Sequence, residues 1–161
     1  MRRFHRGCVE EGLAQPGRIV VGSDSHSTSY GAVGALGTGM GATDVALAFA
    51  SGRTWLRVPE SMRVIAEGQF QPGVGAKDLA LCVARQWGID GATYRAVEYT
   101  GLTSLSMASR QTLSCMTTEL GAKAGIIYPD GEVAQRFAVP DWLTPDDRGD
   151  YVATLRVRLD D

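Results

Sequence analysis

A carboxylate, a hydroxyl and an imidazole stand on consecutive residues at Asp24, Ser25 and His26, within the stretch VVGSDSHSTSYGAVGALGTGMGATD. A carboxylate beside an imidazole can fix its tautomer and equip the ring to handle a proton near neutral pH. A serine hydroxyl is short and can donate a hydrogen bond to a substrate carboxylate. The chain has only two histidines. We therefore treat this stretch as a candidate site for acid/base chemistry.

Several other interpretations of the stretch can be weighed from spacing. Asp24 or Ser25 could simply cap backbone N–H groups at a strand-to-helix turn, with His26 incidental. No G-K-[ST] follows the glycines, which excludes a Walker-type phosphate loop, and GTGMGA lies too far past the strand for a dinucleotide fingerprint. GSDSHS lacks the closing glycine of a serine-hydrolase elbow. What remains is a polar cluster at the carboxyl end of a strand, where open α/β sheets bind ligands.

Strand and helix patterns alternate around this cluster. RIVVGSD predicts a buried strand, a glycine-rich turn follows it, and TDVALAFASG predicts a helix that ends before Gly52. Further strands are predicted in SMRVIAEG, YRAVEYTG, GIIYP and TLRVRL. Further helices are predicted in GAKDLALCVARQWG, with the apolar stripe Leu79, Val83 and Trp87, and in SMASRQTLSCMTTELGAKAG, with Leu113, Met116, Leu120 and a stop at Gly121. This alternation predicts an α/β fold of layered sheets and helices with largely parallel strands.

Composition argues against a protein that binds nucleic acid, spans a membrane or depends on disulfides. A formal net charge of −2 in 161 residues gives no electrostatic case for nucleic acid or for an anionic membrane surface. No apolar run is long enough to span a bilayer, and the first residues lack the apolar core of a signal peptide. Three scattered cysteines form no disulfide framework, which favours a reducing cytoplasm.

Ordered motifs carry a family resemblance over nearly all of the chain. The D-S-H stretch is followed by WLRVPESMRVIAEGQFQPGVGAKDLAL, DGATYRAVEYTG, LSMASRQTLSCMTTELGAKAGIIYPD and the late DYVATLRVRL. Together they resemble the aconitase superfamily, in particular the middle part of the 3-isopropylmalate dehydratase large subunit. The resemblance implies lobes of the aconitase iron-sulfur type, incomplete relative to the family.

The resemblance implies a hydro-lyase that dehydrates or isomerises a hydroxy di- or tricarboxylic acid at a [4Fe-4S] cluster. By motif, His5, Asp24, His26 and Glu119 match catalytic positions and Ser25 matches a substrate-binding one. In the family, the histidine matched by His5 pairs with the D-S-H aspartate, and the D-S-H histidine pairs with the glutamate of the late helix. Both pairs are therefore expected here, the second one reached from a helix that begins near Ser109.

Parts of the family's machinery have no match in this chain. Cys8, Cys82 and Cys115 stand in none of the cluster-ligand motifs, so the cluster ligands are expected from a partner chain and no metal site is expected here. The expected partners are a cluster-bearing part of a large subunit and a small swivelling subunit, with a homo-oligomer also possible. One departure falls inside the matched site: Cys115 stands where the family usually has asparagine, and a thiol is a weaker donor than an amide.

The motifs lead to a predicted division into lobes, a preferred function and two alternative functions. Residues 1–58 are expected to form a partial first lobe with the D-S-H motif, 59–138 a second α/β lobe, and 139–161 a linker and a last strand. The preferred function is one chain of a split aconitase-type hydro-lyase, inactive alone. The rivals are a non-catalytic aconitase-like assembly module and a small carboxylate-binding domain. An apolar surface meant for partners is expected in the first case.

Overall fold

The fold is given by a computed structural model that describes residues 4–160. Its helices are α1 (Phe4–Glu10), α2 (Ala42–Ser51), α3 (Ala76–Trp87), α4 (Met107–Met116) and α5 (Gly131–Arg136). Its strands are β1 (Ile19–Gly22), β2 (Leu36–Gly39), β3 (Ser61–Glu67), β4 (Ala96–Thr100), β5 (Ala124–Ile127) and β6 (Tyr151–Arg158). Two 3-10 helices, Ser25–Val33 and Thr117–Leu120, complete it. Among the described residues, no helix is long and apolar enough to cross a membrane.

All strand pairs in the two sheets are parallel. β1 and β2 form a two-stranded sheet with Ile19 opposite Leu36. The larger sheet has the order β5-β4-β3-β6, and its last strand joins β3 with a register shift between Ser61 and Met62. Parallel neighbours need crossover connections, and α3 and α4 provide them between β3 and β4 and between β4 and β5. The predicted α/β fold with largely parallel strands is confirmed.

Two apolar clusters hold these layers together. The larger lies between the four-stranded sheet and helices α3 and α4, where Val64, Val83, Val97 and Leu113 are completely buried. The smaller one joins α1, the first 3-10 helix and α5 around Val9, Tyr30, Val33 and Val133. The predicted stripes on α3 and α4 face the larger cluster, with Trp87 and Met116 at its border.

Helix α4 is anchored by a buried arginine. The guanidinium of Arg110 has no exposed surface and donates to the carbonyl oxygens of Leu102, Leu105 and Tyr128, and it forms an ion pair with Asp130. A buried charge is tolerated when its N–H groups are paired in this way. The arginine thereby ties the helix to the loops that follow β4 and β5.

The predicted glycine-rich turn is wrong in part, because it contains a strand and a 3-10 helix. Gly37 lies within β2, where a Cβ atom would overlap the carbonyl oxygen of Ser27. Gly31 lies within the 3-10 helix, where a Cβ atom would overlap the carbonyl oxygen of Gly125 in β5. These glycines let backbone segments pass very close to one another, which is a role distinct from chain reversal.

The remaining predicted strands and helices occur with small shifts of their ends, but the prediction that the first strand is buried is wrong, since no residue of β1 is buried and Ile19 is 66% exposed. The helix expected near Ser109 begins at Met107, because the side chain of Ser106 accepts the N–H of Ser109 as a cap. Gly121 ends the following 3-10 turn with a φ of 74°, in the left-handed conformation that glycine adopts readily. The division into lobes at residues 58 and 138 stays a prediction.

Candidate active site

The D-S-H residues form the start of the first 3-10 helix, directly after β1. Asp24 is its N-cap, and its Oδ1 accepts the backbone N–H of His26 at 2.6 Å. The hydroxyl of Ser29 donates to the carbonyl oxygen of His26 at 2.6 Å. The capping interpretation is therefore right for Asp24. Capping does not exclude chemistry, since the same oxygen also faces imidazole nitrogens.

The structure brings the two histidines and the two carboxylates together. In His26, Nδ1 lies 3.3 Å from Asp24 Oδ1 and Nε2 lies 4.0 Å from Glu119 Oε1. In His5, Nε2 lies 3.7 Å from the same oxygen of Asp24. The Glu119 contact is longer than a direct hydrogen bond but within the range of an ion pair. Both expected pairs are present in space, and an additional contact between Asp24 and His26 joins them.

His5 has a further neighbour that the sequence did not indicate. Its Nδ1 lies 3.1 Å from the phenol oxygen of Tyr30, and the two rings meet edge to face with centroids 5.3 Å apart. Tyr30 belongs to the first 3-10 helix and is buried, whereas the His5 side chain remains 20% exposed. The buried phenol thus holds one edge of the ring while Asp24 faces the other.

Glu119 reaches the site because the short turn that carries it is tied to the D-S-H residues. The Thr118 hydroxyl donates to the carbonyl oxygen of Ser25 at 3.0 Å and lies 3.0 Å from the hydroxyl of Thr28. These contacts join residues about ninety positions apart in the chain, and Thr118 was not singled out from the sequence. They hold the Glu119 turn against the start of the first 3-10 helix.

An open cavity of about 940 Å³ lies beside the cluster. His5, Asp24 and His26 form one wall, and α4 forms the facing wall with Ala108, Gln111, Thr112 and Cys115. Cys115 is partly buried and is a free thiol. Ser25 lies instead in the wall of a neighbouring depression of about 420 Å³ that also contains Lys123. The cavity is large enough for a small organic acid.

Hydrogen bonding keeps Asp24 ionised. The backbone N–H of His26 is the main cause that lowers the pKa of Asp24 below its ordinary value of 3.8, and the charge of His5 and the ring of His26 lower it further. Burial raises the pKa of Tyr30 well above its ordinary value, and the neighbouring Cys8 thiol adds to this. Near neutral pH the site therefore combines a carboxylate acceptor with a phenol that keeps its proton.

The described residues do not fit an iron-sulfur cluster. Such clusters need thiolates that converge on one place, but Cys8 is on α1, Cys82 on α3 and Cys115 on α4. Within residues 4–160, no group of three or more histidine, cysteine or acidic side chains is arranged to hold a metal ion. The side chains that the described cluster does offer are carboxylates, imidazoles and a phenol, which are suited to hydrogen bonding and proton exchange.

A histidine–carboxylate cluster at the end of a parallel strand, facing a cavity lined by a helix, defines a candidate acid/base site on an α/β scaffold. The profile of the aconitase family (aconitate hydratase) matches residues 4–140, and the chain belongs to this family. It is 56% identical to the homoaconitase large subunit of Thermus thermophilus over 158 residues, which are 96% of this chain and 38% of that protein.

Other relatives cover the chain to the same extent. The 3-isopropylmalate dehydratase large subunit of Herpetosiphon aurantiacus is 54% identical over 155 residues, and the 3-isopropylmalate dehydratase large subunit 1 of Deinococcus radiodurans is 52% identical over 157. Each comparison covers 96% of this chain but only 37% and 36% of the respective relative. The chain therefore spans less than two fifths of the length of these relatives.

Proposed function

We propose that this chain supplies acid/base and substrate-binding residues to a composite site of an aconitase-type hydro-lyase. The substrate would be a hydroxy di- or tricarboxylic acid of the isopropylmalate or homocitrate kind. Membership in the aconitase family supports this reaction class. The names of the relatives, homoaconitase and 3-isopropylmalate dehydratase large subunits, support the substrate class.

The observation that carries the proposal is the position of His26 between Asp24 and Glu119, at 3.3 and 4.0 Å. When the ring is protonated, Asp24 lies within hydrogen-bond reach of its Nδ1–H, and Glu119 lies within ion-pair range of its Nε2–H, which stays available to a substrate. A preorganised donor of this kind can deliver a proton without rearranging as charge develops on a leaving group. The half-exposed ring lies in the wall of the cavity, where a substrate can reach it.

Dehydration breaks a C–O and a C–H bond on adjacent carbons and forms the C=C bond. In our proposal, His26 gives its proton to the departing hydroxyl, which leaves as water, and Glu119 and Asp24 hold the ring. His5, which faces Asp24, lies in the same wall of the cavity, and we assign it a catalytic role there. Ser25 donates to a substrate carboxylate from the neighbouring depression. The base that takes the carbon-bound proton belongs to another part of the assembly.

The rest of the assembly follows from the same proposal. The [4Fe-4S] cluster expected for the family would be held by residues outside those described here, on a partner chain. The relatives are named as large subunits, so we propose a small swivelling subunit as a second partner. A cytoplasmic location is supported by three free cysteines that form no disulfide. On this view the chain alone is inactive.

The experiment is to isolate the assembled enzyme from the cells that make it, through an affinity tag on this chain. The ultraviolet absorbance of the unsaturated acid is then followed with 3-isopropylmalate and with homocitrate. We expect His26→Ala and Glu119→Gln to lower kcat, the first by about 10²-fold or more, as is typical when a general acid is removed. Glu60→Gln is the matched control, since Glu60 is 70% exposed against 61% for Glu119 and pairs with Arg95 away from the cavity.

A His26→Ala assembly that turns over at the wild-type rate would rule out the proposed role. It would favour a second candidate function, a non-catalytic assembly module. The observation that supports this alternative is the exposed apolar surface of α2 and the segment after it, where Phe49 is 87% and Trp55 is 75% exposed. Exposed apolar patches of this kind mark contacts with other chains.

A further inference from the structure

Tyr30 contacts His5 of the histidine–carboxylate cluster but is not among the residues that line the cavity beside it. Its phenol oxygen is 3.1 Å from His5 Nδ1, and its ring is only 2% exposed within the smaller apolar cluster. The Cys8 thiol is a further neighbour and adds to the rise in the pKa of this phenol. The position of the phenol is therefore set by its contact with His5 and by the packing around it.

The two edges of the His5 ring face groups with opposite requirements. A neutral imidazole carries one N–H donor and one acceptor nitrogen. Asp24 is ionised and can only accept, so the nitrogen that faces it, Nε2, is the one suited to carry the proton. Nδ1 is then the acceptor, and it needs a donor that keeps its proton. The buried phenol of Tyr30 is such a donor, because burial holds its pKa above the ordinary range.

We propose that Tyr30 is a positioning residue that donates its hydroxyl hydrogen to His5 Nδ1 and so fixes the Nε2–H tautomer that Asp24 requires. This inference rests on the proposed function only in its consequence for catalysis. The hydrogen bond and the tautomer belong to this chain and can be measured without partners. The role differs from packing, because phenylalanine fills the same volume and removes only the hydroxyl.

The test is long-range proton–nitrogen NMR of the full 161-residue chain, labelled with nitrogen-15, at a pH where both rings are neutral. Two histidines give a simple spectrum. In the wild type we expect Nε2 of His5 to be protonated and Nδ1 to resonate as a hydrogen-bonded acceptor. In Tyr30→Phe, the Nδ1 signal of His5 should shift to the value of an acceptor nitrogen without a hydrogen bond. The population of the Nδ1–H tautomer should increase. The signals of His26 stay in place.

Tyr99→Phe is the matched control, since Tyr99 is equally buried but lies in β4, within the larger cluster. It should leave both histidines unchanged. A wild-type spectrum with the proton on Nδ1 of His5 overturns the proposal, and so does a Tyr30→Phe spectrum identical to it. If Tyr30→Phe does not fold, the wild-type tautomer and nitrogen shift decide by themselves.

The assembled enzyme separates this inference from the proposed function. We expect Tyr30→Phe to lower kcat by about tenfold with KM unchanged, which is less than the loss of a proton-transfer group itself. Full activity in Tyr30→Phe, beside a His5→Ala variant that loses activity, overturns the positioning role. If His5→Ala is itself fully active, the proposed role of His5 fails, while the tautomer assignment still stands on the NMR result.

Discussion

At the scale of single residues, Asp24 has two tasks that most side chains perform separately. Its Oδ1 caps the 3-10 helix through the N–H of His26, and the same oxygen faces the rings of His26 and His5. A cap needs a carboxylate or hydroxyl in a fixed place, and so does an imidazole whose orientation matters. Local folding of the turn therefore also sets the geometry of the cluster.

The first prediction at this scale concerns pH. Because the pKa of Asp24 is lowered in the folded chain, its charge stabilises the fold above its unfolded pKa. This contribution is lost as pH falls through the lower, folded pKa. The effect on stability is small, since the side chain is 57% exposed and solvent screens it. Carbon-13 titration of the Asp24 carboxyl should give a midpoint below 3.8.

The reference for this titration is the same carbon in the urea-unfolded chain. Substituting His5 by alanine removes one of the charges that lower the pKa, so the midpoint should rise in that variant while staying below the unfolded value. A folded-state midpoint at or above the unfolded one would contradict the hydrogen-bonding pattern at the D-S-H turn.

Some residues of the candidate site were predicted from the sequence, and others were found only in the structure. His5, Asp24, His26 and Glu119 were predicted to meet because several ordered motifs resemble a family whose pairs are known, and they do meet in space. Their catalytic roles stay predictions, as does the effect of Cys115 in the place of asparagine. Tyr30, Thr118 and Arg110 were missed. Tyr30 and Thr118 contact residues 25 and 90 positions away, which neither spacing nor periodicity reports. The partners of Arg110 are closer in the chain, but most of them are backbone carbonyl oxygens, which leave no mark in the sequence.

At the scale of helices and strands, apolar periodicity was a sound guide where side chains supply the packing. The stripes of α3 and α4 and the alternation in β6 were visible for this reason. Apolar periodicity did not predict β2, because its sequence LGTG contains two glycines and too few side chains to form a pattern. The short helices α1 and α5 were also missed, since seven and six residues give too few turns to show a stripe.

The prediction at this scale tests the closeness of two backbones. A methyl group at Gly31 would overlap the carbonyl oxygen of Gly125, a backbone atom that cannot rotate away. We expect Gly31→Ala to lower the free energy of unfolding by about 1–3 kcal/mol or more, as overpacking does in well-packed interiors. Urea denaturation followed by circular dichroism measures this directly.

Gly7→Ala provides the comparison, because Gly7 lies inside α1 with open space where the methyl group would go. Alanine is a better helix former than glycine, so this variant should be unchanged or up to about 1 kcal/mol more stable. Equal stability of the two alanine variants would mean that the 3-10 helix and β5 are not packed backbone to backbone.

At the scale of the whole molecule, the chain carries an apolar surface that its own fold leaves open. None of the ten residues of α2, all of which the structure describes, is buried, although most are apolar. Leu47, Phe49, Trp55 and Val58 are between 60% and 87% exposed. Exposed apolar patches of this kind favour contact with further protein, so we expect an interface on this surface.

The corresponding prediction is that the purified chain binds an apolar fluorescent dye and self-associates as its concentration rises. Replacing Phe49 and Trp55 by glutamine should reduce both effects, measured by dye fluorescence and by sedimentation. Trp142→Gln serves as the control, since Trp142 is also exposed, at 69%, but lies in the segment before β6. A monodisperse wild-type chain without dye binding would contradict a partner surface on α2.

The tether between Thr118 and Ser25 has a consequence for the order of events during synthesis. The two residues are 93 positions apart. At ribosomal speeds of 5–20 residues per second, roughly 5–20 s pass between the emergence of the D-S-H turn and that of Glu119. During this interval His26 has its aspartate but not its glutamate. The complete charge pattern around the imidazole can therefore form only after residue 119 has emerged, and a nascent chain stalled before residue 118 lacks part of it.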